Sequence, residues 1–317
     1  MIATYLKRGS PTLVILVCLW VLVVGGLTAL RPNSISLGTM TTVLQFATIL
    51  ALVALGQALV VLSGGAGIDL SVGGAVSLIA VVAMILTKAG VPGLLLPVVC
   101  CFGGLGLGLF NGWLIARLRI LPLIVTLATF YVYSGLALAL TGGAAQSGVP
   151  AFLIPWGRGD LLGVPLPFLT LALPAFLAAG IVLGATSWGR WIYAMGFNEK
   201  AARLVGIPVD RGRLIVYAVS GLCAGAAALI SLAWLGSARP NVGQNLELTS
   251  LTAAMLGGIS IFGGRGGIGG VFAAVLLLVT LQTFLLQLNV NSIWQVGIVG
   301  ALLIAVLFAD RLSVTRR

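Results

Sequence analysis

Few side chains in this sequence could do covalent or acid–base chemistry, and their placement limits what they could do. There is no histidine, so a histidine-based triad, a zinc centre and a haem ligand are excluded. Of the six carboxylates, Asp160, Glu199, Asp210 and Asp310 sit in polar stretches between apolar runs. Only Asp69 and Glu247 border apolar runs, and the span order puts them at opposite faces of a membrane. No two acids have the spacing of a hydrolytic pair, and no midplane carboxylate is available to couple transport to protons or sodium. Cys18, Cys100, Cys101 and Cys223 form neither a disulfide framework nor a C-x-x-C pair, and they read as small apolar packing residues. A Walker A loop needs Gly-Lys-Ser/Thr. The lysines, Lys7, Lys88 and Lys200, follow Leu6, Thr87 and Glu199, so the chain cannot cradle ATP by that route. Gly264-Arg265-Gly266-Gly267-Ile268-Gly269 is formally G-x-G-x-x-G, but no acid follows until Asp310 and no βαβ pattern surrounds it. The expectation is a chain that is not an enzyme by itself and binds no metal or cofactor.

The elements that must position these residues follow from composition. Of 317 residues, 60% are hydrophobic and 7% charged, with a mean hydropathy of +1.20. Soluble domains carry about a quarter charged residues, so this reads as an all-α polytopic membrane protein. The net charge of +11 then suggests cytoplasmic loops before it suggests nucleic acid. Ten stretches are long and apolar enough, or nearly so, to cross: Thr12–Leu30, Thr41–Leu62, Leu70–Thr87, Pro92–Ala116, Pro122–Leu140, Phe168–Thr186, Leu214–Leu235, Leu248–Phe262, Gly269–Leu288 and Ser292–Phe308. No charged side chain falls inside them. A charge at the bilayer centre costs about 2.5–3.5 kcal/mol even on the lenient insertion scale, so the sorting is expected.

With the N-terminus inside, Lys7, Arg8, Arg117, Arg119, Arg190, Lys200, Arg203, Arg211, Arg213, Arg265, Arg311, Arg316 and Arg317 are cytoplasmic; only Arg31, Lys88, Arg158 and Arg239 are outside. The bias predicts ten transmembrane helices with both termini cytoplasmic. Leu248–Phe262 is the doubtful span, short enough to be re-entrant. Thr12–Leu30 has no A-x-A-like site before Arg31 and is expected as a retained first helix. A single transmembrane domain, 1–317, is left, with a cytoplasmic loop at 187–213 and an outer loop at 141–167. Glycine supplies 44 residues, about twice its usual share, which in lipid suggests closely packed helices. Its densest runs, 63–67 and 257–270, lie at cytoplasmic turns. A faint echo between Gly73-Gly74-Ala75-Val76 and Gly269-Gly270-Val271-Phe272 leaves an internal repeat open.

The most informative loop is 187–213. Asn198 is a suitable N-cap for a short helix through Glu199, Lys200, Ala201, Ala202, Arg203, Leu204 and Val205, which Gly206 and Pro208 would end. Such a helix could dock in a groove of a cytoplasmic partner. It could equally be a surface anchor, with Trp188, Trp191 and Tyr193 at the interface.

At this loop, Tyr193 to Asp210 resembles the cytoplasmic coupling segment of ribose/xylose-type ABC importer permeases, A-x-G-G-N-x-x-A-A-x-x-x-G-I-x-V. Gly67-Ile68-Asp69-Leu70-Ser71-Val72-Gly73 is similar to that family's G-I-D-L-S-V-G signature. Asn111-Gly112 followed by Pro122 and Thr126 resembles its N-G…P-F-I-x-T-L run, and Gly257-Gly258 through Gly263-Gly264 its glycine turn. Phe197 stands where the family has a second glycine, and Leu123 where it has Phe. The resemblance implies an ABC importer permease fold and a transmembrane subunit moving a monosaccharide such as ribose across the bacterial cytoplasmic (inner) membrane, with loop 141–167 periplasmic. It also implies three kinds of partner: an ATP-binding subunit that uses ATP and Mg, a periplasmic sugar-binding protein, and a second permease copy or paralogue. Asn198 to Arg203 and Gly206 would then couple to the ATPase. Asp69 would cap backbone N–H groups around Leu70–Gly73. Arg158, Asp160, Arg239, Gln244, Asn245 and Glu247 would meet the binding protein. A neutral sugar needs uncharged polar groups, for which Gln45, Gln57, Asn111, Thr126, Gln282 and Gln295 are the candidates. A secondary carrier or channel for a small neutral solute is the competing class; it would leave the coupling-like loop unexplained.

Overall fold

In lipid, a backbone has no partner but itself, so long apolar stretches fold as helices. The computed structural model describes residues 11–30 and 36–315. Lys7, Arg8, Arg31, Arg316 and Arg317, and with them both termini, lie outside the described residues. The helices run α1 Pro11–Leu30, α2 Leu37–Leu62, α3 Val72–Lys88, α4 Leu96–Ala116, α5 Pro122–Thr141, α6 Leu153–Arg158, α7 Leu173–Ala185, α8 Ser187–Phe197, α9 Glu199–Leu204, α10 Val209–Leu235, α11 Leu246–Leu256, α12 Ile268–Gln287 and α13 Ser292–Thr315. Among the described residues, six helical runs are long and apolar enough to cross a membrane: α2, Gly93–Ala116 with α4, α5, Phe168–Ala185 with α7, α10 and α12. Shorter apolar helices occupy Leu16–Gly26, Val72–Lys88, Leu246–Leu256 and Ile293–Ile304. Each expected stretch therefore carries a helix. Leu248–Phe262 does so only in part, because α11 stops where Gly257 and Gly258 follow.

The helices divide into inner and outer ones. In α2, 83% of the apolar window is buried and in α10 72%, against 22% for the spans of α4 and α7. The last two present Phe102, Phe110, Leu177 and Ile181 outward, as lipid-facing helices do. α10 packs most extensively on α4. There, Gly104 and Gly108 face Gly221 and Gly225 so closely that a β-carbon on any of them would collide with the opposite backbone. This close approach is the packing that small residues at four-residue spacing allow.

On the side read as outer, two loops are joined. β1 (Gln146–Ser147) pairs antiparallel with β4 (Ser237–Ala238), and Lys88 Nζ donates to Gln146 Oε1 at 2.7 Å. Beside them β2 (Asp160–Leu161) pairs with β3 (Val164–Pro165). Arg158 Nε donates to the Trp234 carbonyl at 2.8 Å, and its Nη2 reaches Leu235. A cation satisfying the free carbonyls at a helix C-terminus is favourable on both hydrogen-bond and dipole grounds.

Two of the shorter apolar helices are entered through irregular segments. One enters by the non-helical segment 63–71 before α3; the other descends through 239–245 before α11. They run antiparallel and meet at Gly73 and Gly243, where the Gly243 N–H also donates to Ser77 Oγ at 2.9 Å. A β-carbon on Gly73 would collide with the Gly243 carbonyl and with Glu247 Oε2. Glu247 therefore does not lie at the face of the membrane opposite Asp69. Its carboxylate sits beside Gly73, four residues along the chain from Asp69. The irregular segment 239–245 is polar in composition and so reads as an outer loop, yet it enters the protein before its helix begins, with Pro240 and Gly243 buried.

Candidate functional site

The residues of the G-I-D-L-S-V-G stretch are gathered in a buried hydrogen-bond network. Asp69 is 1% exposed. Its Oδ1 accepts from the Ser71 N–H at 3.1 Å and the Ser71 hydroxyl at 2.6 Å, while its Oδ2 accepts from Ser220 at 2.8 Å. Asn111 Nδ2 donates to Ser71 Oγ at 2.8 Å, and Tyr133 donates to Asn111 Oδ1 at 3.4 Å. Thr126 and Tyr217 both donate to the Ile68 carbonyl, at 3.2 and 3.3 Å. The network ties the broken entry of α3 to α4, α5 and α10. A buried carboxylate is costly unless hydrogen-bonded, and here donors occupy both oxygens. Gly112 and Pro122 flank it, Gly112 against Leu214 and Tyr217 and Pro122 in the first turn of α5. Sequence reasoning missed Ser220, Tyr217 and Tyr133. They lie far along the chain, and nothing in their local pattern marks them.

The second assembly lies on the side that the charge bias reads as cytoplasmic. Thr186 caps α8, accepting from the Gly189 N–H at 3.2 Å. Asn198 then caps α9, its Oδ1 accepting from the Ala201 N–H at 3.0 Å. Gly206, with φ +83°, turns the chain away in the left-handed region that glycine tolerates. Glu199 and Arg203 are engaged within the chain rather than offered outward. Glu199 accepts from Arg203 Nη2 at 3.0 Å and, across to α10, from Arg213 Nη2 at 2.8 Å; Arg203 also pairs with Asp210. Burial works against the Glu199 charge, but the two arginine hydrogen bonds outweigh it and hold its carboxyl below the ordinary value. The hydrogen bond from Arg203 likewise lowers Asp210.

Ala202 is 3% exposed, packed with Met195 and Val209. Lys200 and Ala201 are exposed, and the apolar surface is Phe197, Leu204 and Val205 at 71%, 88% and 76% exposed. The Arg265 guanidinium lies 5.9 Å from the Phe197 ring centre. Beneath α9, the two glycine runs and the end of α8 meet. The Gly264 N–H donates to the Leu62 carbonyl at 2.9 Å, and Gly64, Gly196 and Gly263 touch backbone to backbone. Gly257 packs in the same way against Gly270, while Gly258 takes a positive φ of 90° in the turn. A cavity of about 380 Å³ opens between this assembly and residues 115–122, lined by Arg119, Glu199, Arg203, Asp210 and Arg213 among others.

The remaining polar span residues are placed as follows. Gln45 donates to the Gly157 carbonyl at 3.0 Å, and Gln295 to that of Val290 at 3.0 Å. Gln57 is fully buried, with neither amide atom hydrogen-bonded, and Gln282 is half-buried. Gln45, Asn111 and Thr126 thus join elements together. Of the outer-loop residues, Arg158 caps α10 and Asp160 accepts from the Gly163 N–H at 2.9 Å; Arg239 and Gln244 are exposed.

The family described as the branched-chain amino acid transport system permease component matches residues 39–307. The ribose import permease protein RbsC of Bacillus subtilis is 36% identical over 89% of this chain and 87% of its own length. The autoinducer 2 import system permease protein LsrC of Klebsiella pneumoniae is 36% identical over 90% of this chain and 82% of its own. The probable ABC transporter permease protein y4mJ of Sinorhizobium fredii is 35% identical over 90% and 85%. No solved structure matches the chain. On matches that cover nearly all of its length, this multi-pass membrane protein belongs to the permease family of the branched-chain amino acid transport system type.

Proposed function

We propose that this chain is the transmembrane permease subunit of an ATP-driven ABC importer, moving a monosaccharide such as ribose or a related sugar across the bacterial inner membrane. It is one domain, 1–317, crossing ten times with both termini cytoplasmic; six long apolar helices and four shorter ones support that reading. It works with a separate ATP-binding subunit that uses ATP and Mg, a periplasmic sugar-binding protein, and a second permease copy or paralogue. The names of the ribose and autoinducer 2 relatives favour a sugar over an amino acid as cargo.

The observation that carries this reading is α9. A partner that pushes on a membrane protein needs a rigid element gripped on one side and fixed on the other. α9 is capped by Asn198 and lashed through Glu199 to Arg213 at the foot of α10. Its exposed Leu204 and Val205 give a partner's groove an apolar grip, with Ala201 permitting close approach. The test is sugar-stimulated ATP hydrolysis in the reconstituted complex. Ala201→Trp and Leu204→Glu should each abolish stimulation while the permease still inserts, because both changes lie outside the spans. Unchanged stimulation in both would leave the loop as an interfacial anchor.

A further inference from the structure

The segment between β4 and α11 goes down into the membrane without regular structure. Its start is fixed at the outer rim, where Ala238 pairs with Gln146 and Lys88 bonds the same glutamine. A few residues later the Gly243 N–H reaches Ser77, which lies about 16 Å down α3 from Lys88 at 1.5 Å per residue. That is roughly half of a 30 Å hydrocarbon layer. Non-helical backbone at such depth persists only where protein buries it or where it lines water. Pro240 and Gly243 are buried, but the side chains of Asn241 and Gln244 are exposed. Facing lipid, each amide would cost several kcal/mol, so the exposed side of this segment does not face lipid.

At the foot of the segment is Glu247, 9% exposed, whose Oε2 is buried without a hydrogen-bond partner. A buried polar atom left orphaned in this way needs a reason. Asn245, at φ +68°, turns the chain into α11 and gives that helix no side-chain cap. The Leu246 N–H donates to the Gly243 carbonyl and the Thr249 N–H to that of Asn245, both at 3.1 Å, so the Leu248 N–H is left in the first turn of α11 near the free carboxylate oxygen, at the meeting point of two broken crossings.

We propose that Pro240–Glu247 is the substrate-contacting element of the transport pathway. Asn241 and Gln244 line a water-filled vestibule open to the outer face. When the Gly73–Gly243 crossing parts, the Glu247 carboxylate accepts hydrogen bonds from the hydroxyls of a neutral polyol, and the Leu248 N–H in the first turn of α11 donates to one of its oxygens. The polyol rests on the sugar reading above; the vestibule does not. A sugar suits such a site because each hydroxyl both donates and accepts without carrying charge.

The test has two arms. In the assembled importer, with the native cysteines replaced, Asn241→Cys and Gln244→Cys are treated from outside with a membrane-impermeant maleimide. Labelling of both is expected; protection of either overturns the vestibule. In the second arm, Glu247→Gln should lower the maximal rate of ribose uptake at least tenfold. Recovery of the complex and docking of the binding protein should be unchanged, and Glu247→Asp should restore part of the rate. Uptake within twofold of the parent overturns the role of Glu247. If the unmodified complex carries no ribose or other pentose, the sugar reading fails, while the labelling arm still decides whether the vestibule exists.

Discussion

Asp69 and Glu247 are both buried carboxylates at the broken entries of short helices, and their surroundings differ. Asp69 has donors on both oxygens, from Ser71 and Ser220, and its partners are themselves held by Asn111 and Tyr133. Glu247 keeps Oε2 without a partner, pressed against Gly73. A satisfied network fixes one arrangement of the elements it joins, whereas an orphaned acceptor is stabilised by any change that brings it a donor. The comparison therefore separates a carboxylate that holds the structure together from one that is poised for a different state.

The largest way to break this arrangement is at the crossing between the two. Gly243→Ala would drive a methyl group into the Gly73 carbonyl, where neither backbone can yield alone. Loss of most folded permease is expected, measured by recovery after solubilisation and size-exclusion chromatography. Next comes the direct contrast. Asp69→Ala strands several buried neutral donors, and each buried group left unsatisfied costs about 1–3 kcal/mol. Glu247→Ala strands none across the interface and should cost less than about 2 kcal/mol. Thermal unfolding of the two variants side by side measures the difference, and equal losses would end the distinction. Asp69→Asn should fall between, since the serine hydroxyls can turn to accept from the new amide.

A third carboxylate sharpens the comparison, because it is bonded like Asp69 but lies near water. Glu199 and Asp210 both have carboxyls held below their ordinary values of 4.5 and 3.8 by arginine hydrogen bonds. A lowered folded-state pKa stabilises above the unfolded value and is lost as pH falls through the folded one. The lashing of α9 to α10 should therefore be constant at neutral pH and weaken only below about pH 4. Glu199→Gln should bring about that loosening at neutral pH, seen as faster proteolysis or hydrogen exchange at 198–206. The smallest effect is expected for Gly206→Ala, about 1 kcal/mol for a side chain at positive φ, read as a small drop in Tm.

The apolar helices, the helix capped at Asn198 and the close packing of glycine were all legible in the residues. Each rests on local physics: apolar length, a side chain that reaches its own backbone, and the absence of a β-carbon. The sequence also marked Asp69, Ser71, Asn111 and Thr126 as a set through motif resemblance, and the fold brings them into one network. What local reasoning could not see was how polar residues are shared between distant segments. Ser220 meets Asp69 and Arg213 meets Glu199 only because α10 passes both. Arg203 looked like a surface charge for a partner, yet it is spent on Glu199 and Asp210. Glu247 looked like an outer-loop residue, because hydropathy counts composition and not the path of the chain. Only the tertiary structure decides that a polar, irregular segment enters the protein and is sheltered there, since a backbone without its own helix persists at that depth only in the company of other segments.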